Sequence, residues 1–450
     1  LEQASRTTRK KPIILLKSGR SATGQKSAGS HTGALAGISE VARSAFKRAG
    51  IIVIDNSDEL FPVAETLSSL PPIRNNRVAI LADGGGHATI AADNLTDLGV
   101  EIPRLSEETQ ARLREILPDA ASVPNPVDVA GGTDADPSVF AQCAQIILDD
   151  PNVGGMLLVG LFGGYGIRFA ESLTFMEEDA AHQMGKMVKK SGKPIVIHSL
   201  FASAQPHALD LARHYGIPVY DSLDIACKCV AVLADYGRHL KAVYTQRSFK
   251  MQWGAQADPD IEATIQAARD EGRRVLLEPE AKRLLASHRA ADAADRLARD
   301  ADEAVVAAEA MAGPVVMKIV SPDILHKSEA GGVRLNVSGA EAVREGFAEI
   351  VAAARRYAPE ADIRGVLVSP MAPSGVEVIV GTRYDDQFGP VIMFGIGGIL
   401  VEILKDVAFR VLPFDATEAR SMIEEIRSTA ILNGVRGQAP ATSRPSSACC

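Results

Sequence analysis

Arg77-Val78-Ala79-Ile80-Leu81-Ala82-Asp83-Gly84-Gly85-Gly86-His87 decides how the chain is read. Its apolar run reads as a buried strand, the three glycines as a turn, and His87 to Leu98 has helical spacing. Strand, turn and helix in that order make half of a β-α-β repeat. The same order occurs upstream: strand Pro12–Leu16, an amphipathic helix over Ile38–Ala49 and strand Ile51–Ile54. Ser57 is then placed to cap a helix running to about Leu67, before Pro71-Pro72 punctuates the chain. Downstream, strands at Gly155–Val159, Pro194–His198 and Pro218–Tyr220 interleave with helices near 106–116, 137–149, 174–190, 203–215 and 222–240. Alternation of this kind predicts doubly wound parallel sheets, which bind ligands beyond the carboxyl ends of their strands.

That rhythm stops over 241–275, a stretch with Trp253, Gly254, Pro259 and mixed charge, which reads as an interdomain linker. Such a linker would tether two catalytic units at raised effective concentration. Leu276 to Glu280 then opens a helix with Pro279 in the tolerated first turn. An Ala- and Asp-rich stretch (290–312) precedes strand Pro314–Val320. Later strands at Gly365–Val368, Gly375–Gly381 and Val391–Phe394 alternate with helices at 338–357 and 414–427. This half predicts an α+β domain.

At 450 residues the chain has room for about two to four domains, each with its own core. Hydrophobic residues at 46% and charged residues at 23% fit an ordinary globular protein. A net charge of −8 gives nucleic acid no support as the main partner. No apolar run approaches the ~18 residues of a membrane span, and Leu1 to Ser5 lacks a signal peptide's layout. Five cysteines without a disulfide framework point to a reducing cytoplasm. Cys227-Lys228-Cys229 would hold metal only with further ligands, and buried helix positions account for the pair as well. The absence of an initiator Met, and a basic tail (Arg6 to Lys11) feeding straight into a strand, predict a fragment.

Several stretches carry chemistry. Ser27 to Gly37 sets His31 among Gly29, Ser30, Thr32 and Gly33, after the basic Lys17–Arg20. Glycines let backbone approach a ligand, unpaired N–H groups suit an anion, and an imidazole nitrogen can take and return a phosphoryl group. A loop histidine bonded to backbone fits the same spacing. Gly84, Gly85 and Gly86, and likewise Gly163 and Gly164, follow a strand and precede a helix, where free amides would meet phosphate. Neither is a full G-x-G-x-x-G, and each could be a tight turn only. Lys318 ends an apolar strand, where its charge needs phosphate or an outlet to water. Ser321 to Val333 joins His326 and Lys327 to a glycine loop able to handle a mobile phosphate. Glu377, in the strand Gly375–Gly381, and Glu402 and Asp406, after the turn 394–398, suit a nucleotide's Mg²⁺ or ribose. Salt bridges to Arg383 or Arg410 are the plainer alternative for these carboxylates.

Taken together, these motifs resemble the nucleoside-diphosphate-forming acyl-CoA synthetases, which include ADP-forming acetate–CoA ligase and are relatives of succinyl-CoA synthetase. The matching pieces are Lys17–Arg20 with Ser30–Gly37, Val123-Pro124-Asn125-Pro126-Val127-Asp128, Val316–Val333, and Gly375–Arg410 with Asp385-Asp386-Gln387-Phe388-Gly389-Pro390. The resemblance implies an α/β chain: two flavodoxin-like doubly wound parallel-sheet domains (1–72 and 73–242), a linker (243–275), a partial α+β ATP-grasp domain (276–440) and an atypical tail (441–450). It implies that His31 is the phosphohistidine, with the turns at 84–86 and 163–164 lining its pocket. His326 matches a second histidine that carries phosphate between distant sites, and Lys282, Lys318 and Glu377 would be nucleotide contacts. The implied reaction turns acyl-CoA, phosphate and ADP into carboxylate, CoA and ATP. Mg²⁺ and ATP or ADP would be required, with CoA as a substrate. Small molecules would be the partners, with further copies or complementary subunits, and neither nucleic acid nor membrane.

The sequence also departs from the family pattern. The family's N-terminal CoA-binding domain would precede residue 1, as would the segment supplying a glutamate that steadies the phosphohistidine. The strands carrying the expected Mg²⁺ ligands, an Asn and an Asp, would follow the Ser/Pro/Cys tail. Asp386 stands where proline is usual, and 288–300 lacks the usual Tyr-Gly-Ile-Pro-type segment. Two alternatives therefore stand beside a ligase: the sensor part of a protein lysine acetyltransferase, against which His31 argues, and a non-catalytic remnant.

Overall fold

The computed structural model describes residues 1–18, 23–24, 39–245, 259–287, 294–311, 313–372, 375–397 and 406–434. Two compact units are present, one of residues 1–248, 382–392 and 409–412, the other of residues 249–381, 393–408 and 413–450.

In the first unit, β1 (Ile13–Leu16) and β2 (Ile51–Ile54) pair in parallel, Ile13 opposite Ile51, with the helix Ser39–Arg48 leading into β2. β1 is only half-buried, less covered than its apolar run suggested. The helical turn that leads into the following helix is capped by Asn56, and Ser57 caps neither. The Asn56 side-chain oxygen accepts from the Asp58 N–H at 3.1 Å, and the turn at Ser57–Glu59 leads into the helix Leu60–Ser69.

Five parallel strands follow: β3 (Val78–Ala82), β4 (Val127–Asp128), β5 (Gly155–Gly160), β6 (Ile195–Ser199) and β7 (Val219–Tyr220), in the order β4-β3-β5-β6-β7. Every residue of β3, β5 and β6 is buried, as strands covered by helices on both faces must be. Each large apolar side chain buried there contributes about 1.5–3 kcal/mol. The strand order reverses direction between β3 and β5, so the crevice at their carboxyl ends is the topological switch point. β4 is short and needs help to pair. Asn125 supplies it: its Oδ1 accepts from Ile80 N–H at 2.9 Å, and its Nδ2 donates to Val78 O at 3.2 Å and Pro103 O at 2.8 Å. The Val123–Asp128 motif is thus an edge clamp that sets Asp128 beside Ala82 at the end of β3. Cys143, Cys227 and Cys229 are fully buried helix residues, and their thiols are pushed up to about 12, 12 and 11 by burial.

In the second unit, β8 (Arg296–Ala298), β9 (Val315–Val320), β10 (Val333–Val337) and β11 (Gly365–Pro370) form an antiparallel sheet in the order β10-β9-β11-β8. Met317 and Ile319 pack with Val343, Ile350 and Ala354 of the helix Ala340–Tyr357. Strand alternation therefore turns Lys318 to the opposite face, where it is half-buried. A separate three-stranded sheet, not confined to the second unit, has the order β12 (Val378–Asp385), β13 (Gly389–Ile396), β14 (Val407–Val411). One carboxylate oxygen of Asp385 makes the β12–β13 turn, accepting from Gln387 N–H at 3.0 Å and Phe388 N–H at 3.1 Å.

Three expectations change. The stretch read as linker is partly helical: one helix continues to Thr245 and another fills Pro259–Asp270. The Ala- and Asp-rich stretch holds β8 and the helix Ala301–Glu309, whose cap is Asp300, accepting from Glu303 N–H at 2.8 Å. Glu377 lies just ahead of β12 instead of within a strand.

Candidate active site

The second unit gathers its charged groups around one carboxylate. Leu277 and the start of the helix Glu278–Ser287 are held by Glu280, which accepts from Leu277 N–H at 2.7 Å and takes Arg273 in two bonds of 2.9 Å. Glu278 is thereby fixed at the helix start. Its Oε1 meets Lys318 Nζ at 2.9 Å and Lys282 Nζ, one turn along, at 3.1 Å, and its Oε2 accepts from Lys327 Nζ. Lys282 also reaches Asp295 at 2.5 Å. Partial burial favours neutral Glu278, but bonds from Lys327 and Lys318 outweigh it and hold the acid at about 2. Burial likewise opposes the charge on Lys282, while Asp295 and Glu278 overrule it and raise its pKa. Three ammonium groups against two carboxylates leave a formal surplus of one positive charge.

His326, exposed, precedes Lys327 in the loop between β9 and β10. That loop is closed by backbone bonds from Ala330 N–H to His326 O at 3.2 Å and from Gly332 N–H to Lys327 O at 2.8 Å. Lys282, Lys318 and Lys327 thus share one cluster, with His326 next to it in sequence. Glu377 is exposed, and its carbonyl accepts from Gly397 N–H at 2.7 Å. Asp406 does not present a free carboxylate: it accepts from Arg427 N–H at 2.9 Å, from Ser428 N–H at 2.7 Å and from Ser428 Oγ. Burial would raise its pKa, yet these bonds keep it below the usual range. Glu402 lies outside the described residues. Among the described residues no three His, Cys, Asp or Glu side chains are placed to hold a metal.

The first unit offers backbone amides instead of ammonium groups. The helix Gly85–Asp97 starts on Gly85, two residues earlier than its sequence suggested, so Gly85 and Gly86 lie in its first turn with Gly84 as the cap. A Cβ placed on Gly84 or Gly86 would meet open space. That helix start therefore directs free N–H groups and positive potential into the switch-point crevice. Beside it, Asp83 accepts from Leu161 N–H at 2.6 Å and joins the turns after β3 and β5. Gly160, at φ +128°, is required here, because a Cβ would fall 1.9 Å from Asp83 Oδ1. Burial lifts Asp83 to about 6, partly offset by the Leu161 bond and reinforced by Asp128. His198, 2% exposed with Nδ1 unpartnered, has its ring centre 6.0 Å from that of His87. Burial first, and then His87, lower its pKa.

The turn at Gly163 and Gly164 is different, and the expectation of a second open phosphate turn does not hold. Glu177, 2% exposed, fills it: Oε1 accepts from Gly163 N–H at 2.6 Å and Tyr165 N–H at 3.1 Å, and Oε2 from Gly166 N–H at 3.1 Å. The protein's own carboxylate stands where an anion would. Gly29, Ser30, His31, Thr32 and Gly33 lie outside the described residues. Sequence reading missed Glu177, Asp83 and Glu278 as site groups. Glu278 could have been found from its i,i+4 spacing to Lys282, whereas nothing local marks Glu177.

Residues 1–67 match the family described as succinyl-CoA ligase like flavodoxin domain, residues 78–243 the ligase-CoA domain, and residues 267–445 the ATP-grasp domain. The chain is 35% identical over 439 residues to an ADP-forming acetate–CoA ligase I of Archaeoglobus fulgidus, covering 97% of this chain and 60% of that protein. It spans 58–61% of the length of the long curated relatives it matches. It is 50% identical over 176 residues to the ADP-forming acetate–CoA ligase I subunit beta of Pyrococcus furiosus, covering 39% of this chain and 75% of that subunit. A solved Ca. Korarchaeum cryptofilum dinucleotide forming acetyl-coenzyme A synthetase 1, in complex with coenzyme A, Ca-AMPCP and HgCl⁺, aligns at 44% identity. That alignment covers 40% of this chain and 78% of the other, with a TM-score of 0.39.

Proposed function

We propose, for a chain that belongs to the nucleoside-diphosphate-forming acyl-CoA synthetase family, that it carries the phosphoryl-transfer core of an ADP-forming acyl-CoA ligase. The observation that carries this reading is the convergence of Lys282, Lys318 and Lys327, with surplus positive charge, on one point of the ATP-grasp region. Ammonium groups so placed neutralise the terminal phosphates of ADP or ATP, and phosphoryl transfer depends mostly on positioning and charge neutralisation. Mg²⁺ enters with the nucleotide as part of the substrate. The open helix start at Gly84–Gly86 supports a second, phosphate-binding place in the first unit.

In the reaction, phosphate oxygen attacks the thioester of acyl-CoA, releasing CoA and leaving an acyl phosphate. A nitrogen of His31 then takes the phosphoryl group, and the carboxylate departs. ADP receives that group through its β-phosphate oxygen, giving ATP and restoring the imidazole. His326, beside Lys327, serves as the second carrier at the nucleotide end. The acyl-CoA is held with complementary subunits or further copies of the chain, and the setting is the cytoplasm. Incubation with Mg²⁺ and γ-³²P-ATP tests this. Acid-labile, base-stable label should appear and be lost when both carriers are removed, in the His31→Ala, His326→Ala double variant. An unlabelled protein that still binds Mg–ATP overturns the reading.

A further inference from the structure

We propose that Glu278 is a positioning residue: a hub that gathers Lys282, Lys318 and Lys327 into one polyphosphate-binding cluster and keeps it assembled before any ligand arrives. The choice of ligand rests on the nucleotide reading above, while the hub itself rests on geometry. The three ammonium groups come from separate places: one turn along the helix, the middle of β9, and the β9–β10 loop. Backbone bonds from Gly332 N–H to Lys327 O and from Ile319 N–H to Gly332 O bring the loop beside β9. They do nothing to offset the repulsion of like charges at these separations. One carboxylate makes the cluster possible by sharing Oε1 between Lys318 and Lys282 and giving Oε2 to Lys327.

Glu278 is itself held. Glu280 pins the start of its helix, and the Arg273 side chain that grips Glu280 is only 8% exposed. Asp295 steadies Lys282 from its other side. Of the charged neighbours, Arg273, Glu271 and Glu280 are engaged with one another, so they do not compete for the lysines. Each ammonium has three donors and spends only one or two here, which leaves N–H groups for a ligand's oxygens. Glu278 would meet that ligand only through the lysines. Loss of its charge should therefore loosen the cluster and weaken ADP binding roughly tenfold through lost preorganisation.

The test is timed acetylation of the full chain with acetic anhydride, read lysine by lysine by mass spectrometry, with and without ADP. Lys318 and Lys327 should react several-fold more slowly than exposed Lys190. Glu278→Gln should bring them towards the Lys190 rate, and Glu278→Asp should fall between. If Glu278→Gln does not fold, Lys327→Gln serves, since a carboxylate shared by fewer partners should slow Lys318 further. Unchanged Lys318 rates in the folded variant overturn the hub. Lysines released in Glu278→Gln but not shielded by ADP in the unmodified chain support the hub and overturn the nucleotide reading alone.

Discussion

Glu177 in the first unit and Glu278 in the second are each surrounded by three N–H donors, yet their acidities move in opposite directions. Glu177 is almost wholly buried against backbone amides, and burial wins: its pKa is raised. Glu278 is partly buried against ammonium groups, and its pKa drops to about 2. Dipoles can place a carboxylate without making it a strong acid, whereas full charges do both. The functional contrast follows. The amides after β5 are already consumed, leaving the helix start at Gly84–Gly86 as the open anion-facing turn of that crevice. The lysine cluster keeps a positive surplus for a ligand.

The largest effect should come from the amide side. Glu177→Ala leaves two buried N–H groups and one half-buried one without an acceptor and should lower stability by about 3–5 kcal/mol. Glu177→Gln, which retains one acceptor oxygen, should lower it by only about 1–2 kcal/mol. Urea melts of both variants separate these outcomes. An equal, small loss would mean that the turn does not depend on an internal anion.

The ammonium side should show itself through pH. Glu278 titrates near 4.5 when unfolded and near about 2 when folded, so its contribution is present above 4.5 and is lost as pH falls towards 2. Glu278→Gln should thus be less stable by about 2–3 kcal/mol at pH 7, with the gap closing in acid. Asp83 should behave in the opposite sense. Its folded pKa of about 6 exceeds the unfolded 3.8, so the folded state holds the proton more tightly and stability declines as pH rises between those values. Asp83→Asn should remove that decline, gaining on the order of 2 kcal/mol relative to the parent between pH 4 and pH 7. Thermal melts that cover both windows, from the acid side of the Glu278 transition to neutral pH, give both signs, and parallel curves for the two variants would erase the contrast. The smallest effect is expected at the exposed Asp302–Arg344 pair, 3.0 Å apart, where Asp302→Asn should change stability by no more than about 0.5 kcal/mol.

Much of the fold was legible in the sequence because its strongest signals are local. The apolar runs of β3, β5 and β6, with glycines after the first two, declare a parallel sheet, and Lys318 stands out in a strand that otherwise excludes charge. β10 was hidden by the glycines before it, although Val333, Leu335 and Val337 alternate with polar residues. β8 was hidden by its brevity, and Asp300, a cap, looked like one more acid in a polar stretch. The site was less legible than the fold because its decisive contacts are distant in sequence. Glu177 lies 14 residues from Gly163, and Glu278 lies 40 residues from Lys318 and 49 from Lys327. Of that cluster, only the Glu278–Lys282 spacing was visible locally.

The central claim is that the lysine cluster holds the phosphates of a nucleotide. Calorimetric titration of Mg–ADP into the full chain and into the Lys318→Gln, Lys327→Gln double variant tests it most directly. The account predicts saturable binding to the parent chain and a loss of affinity of at least about tenfold in the variant. Equal affinity in the two proteins would contradict it.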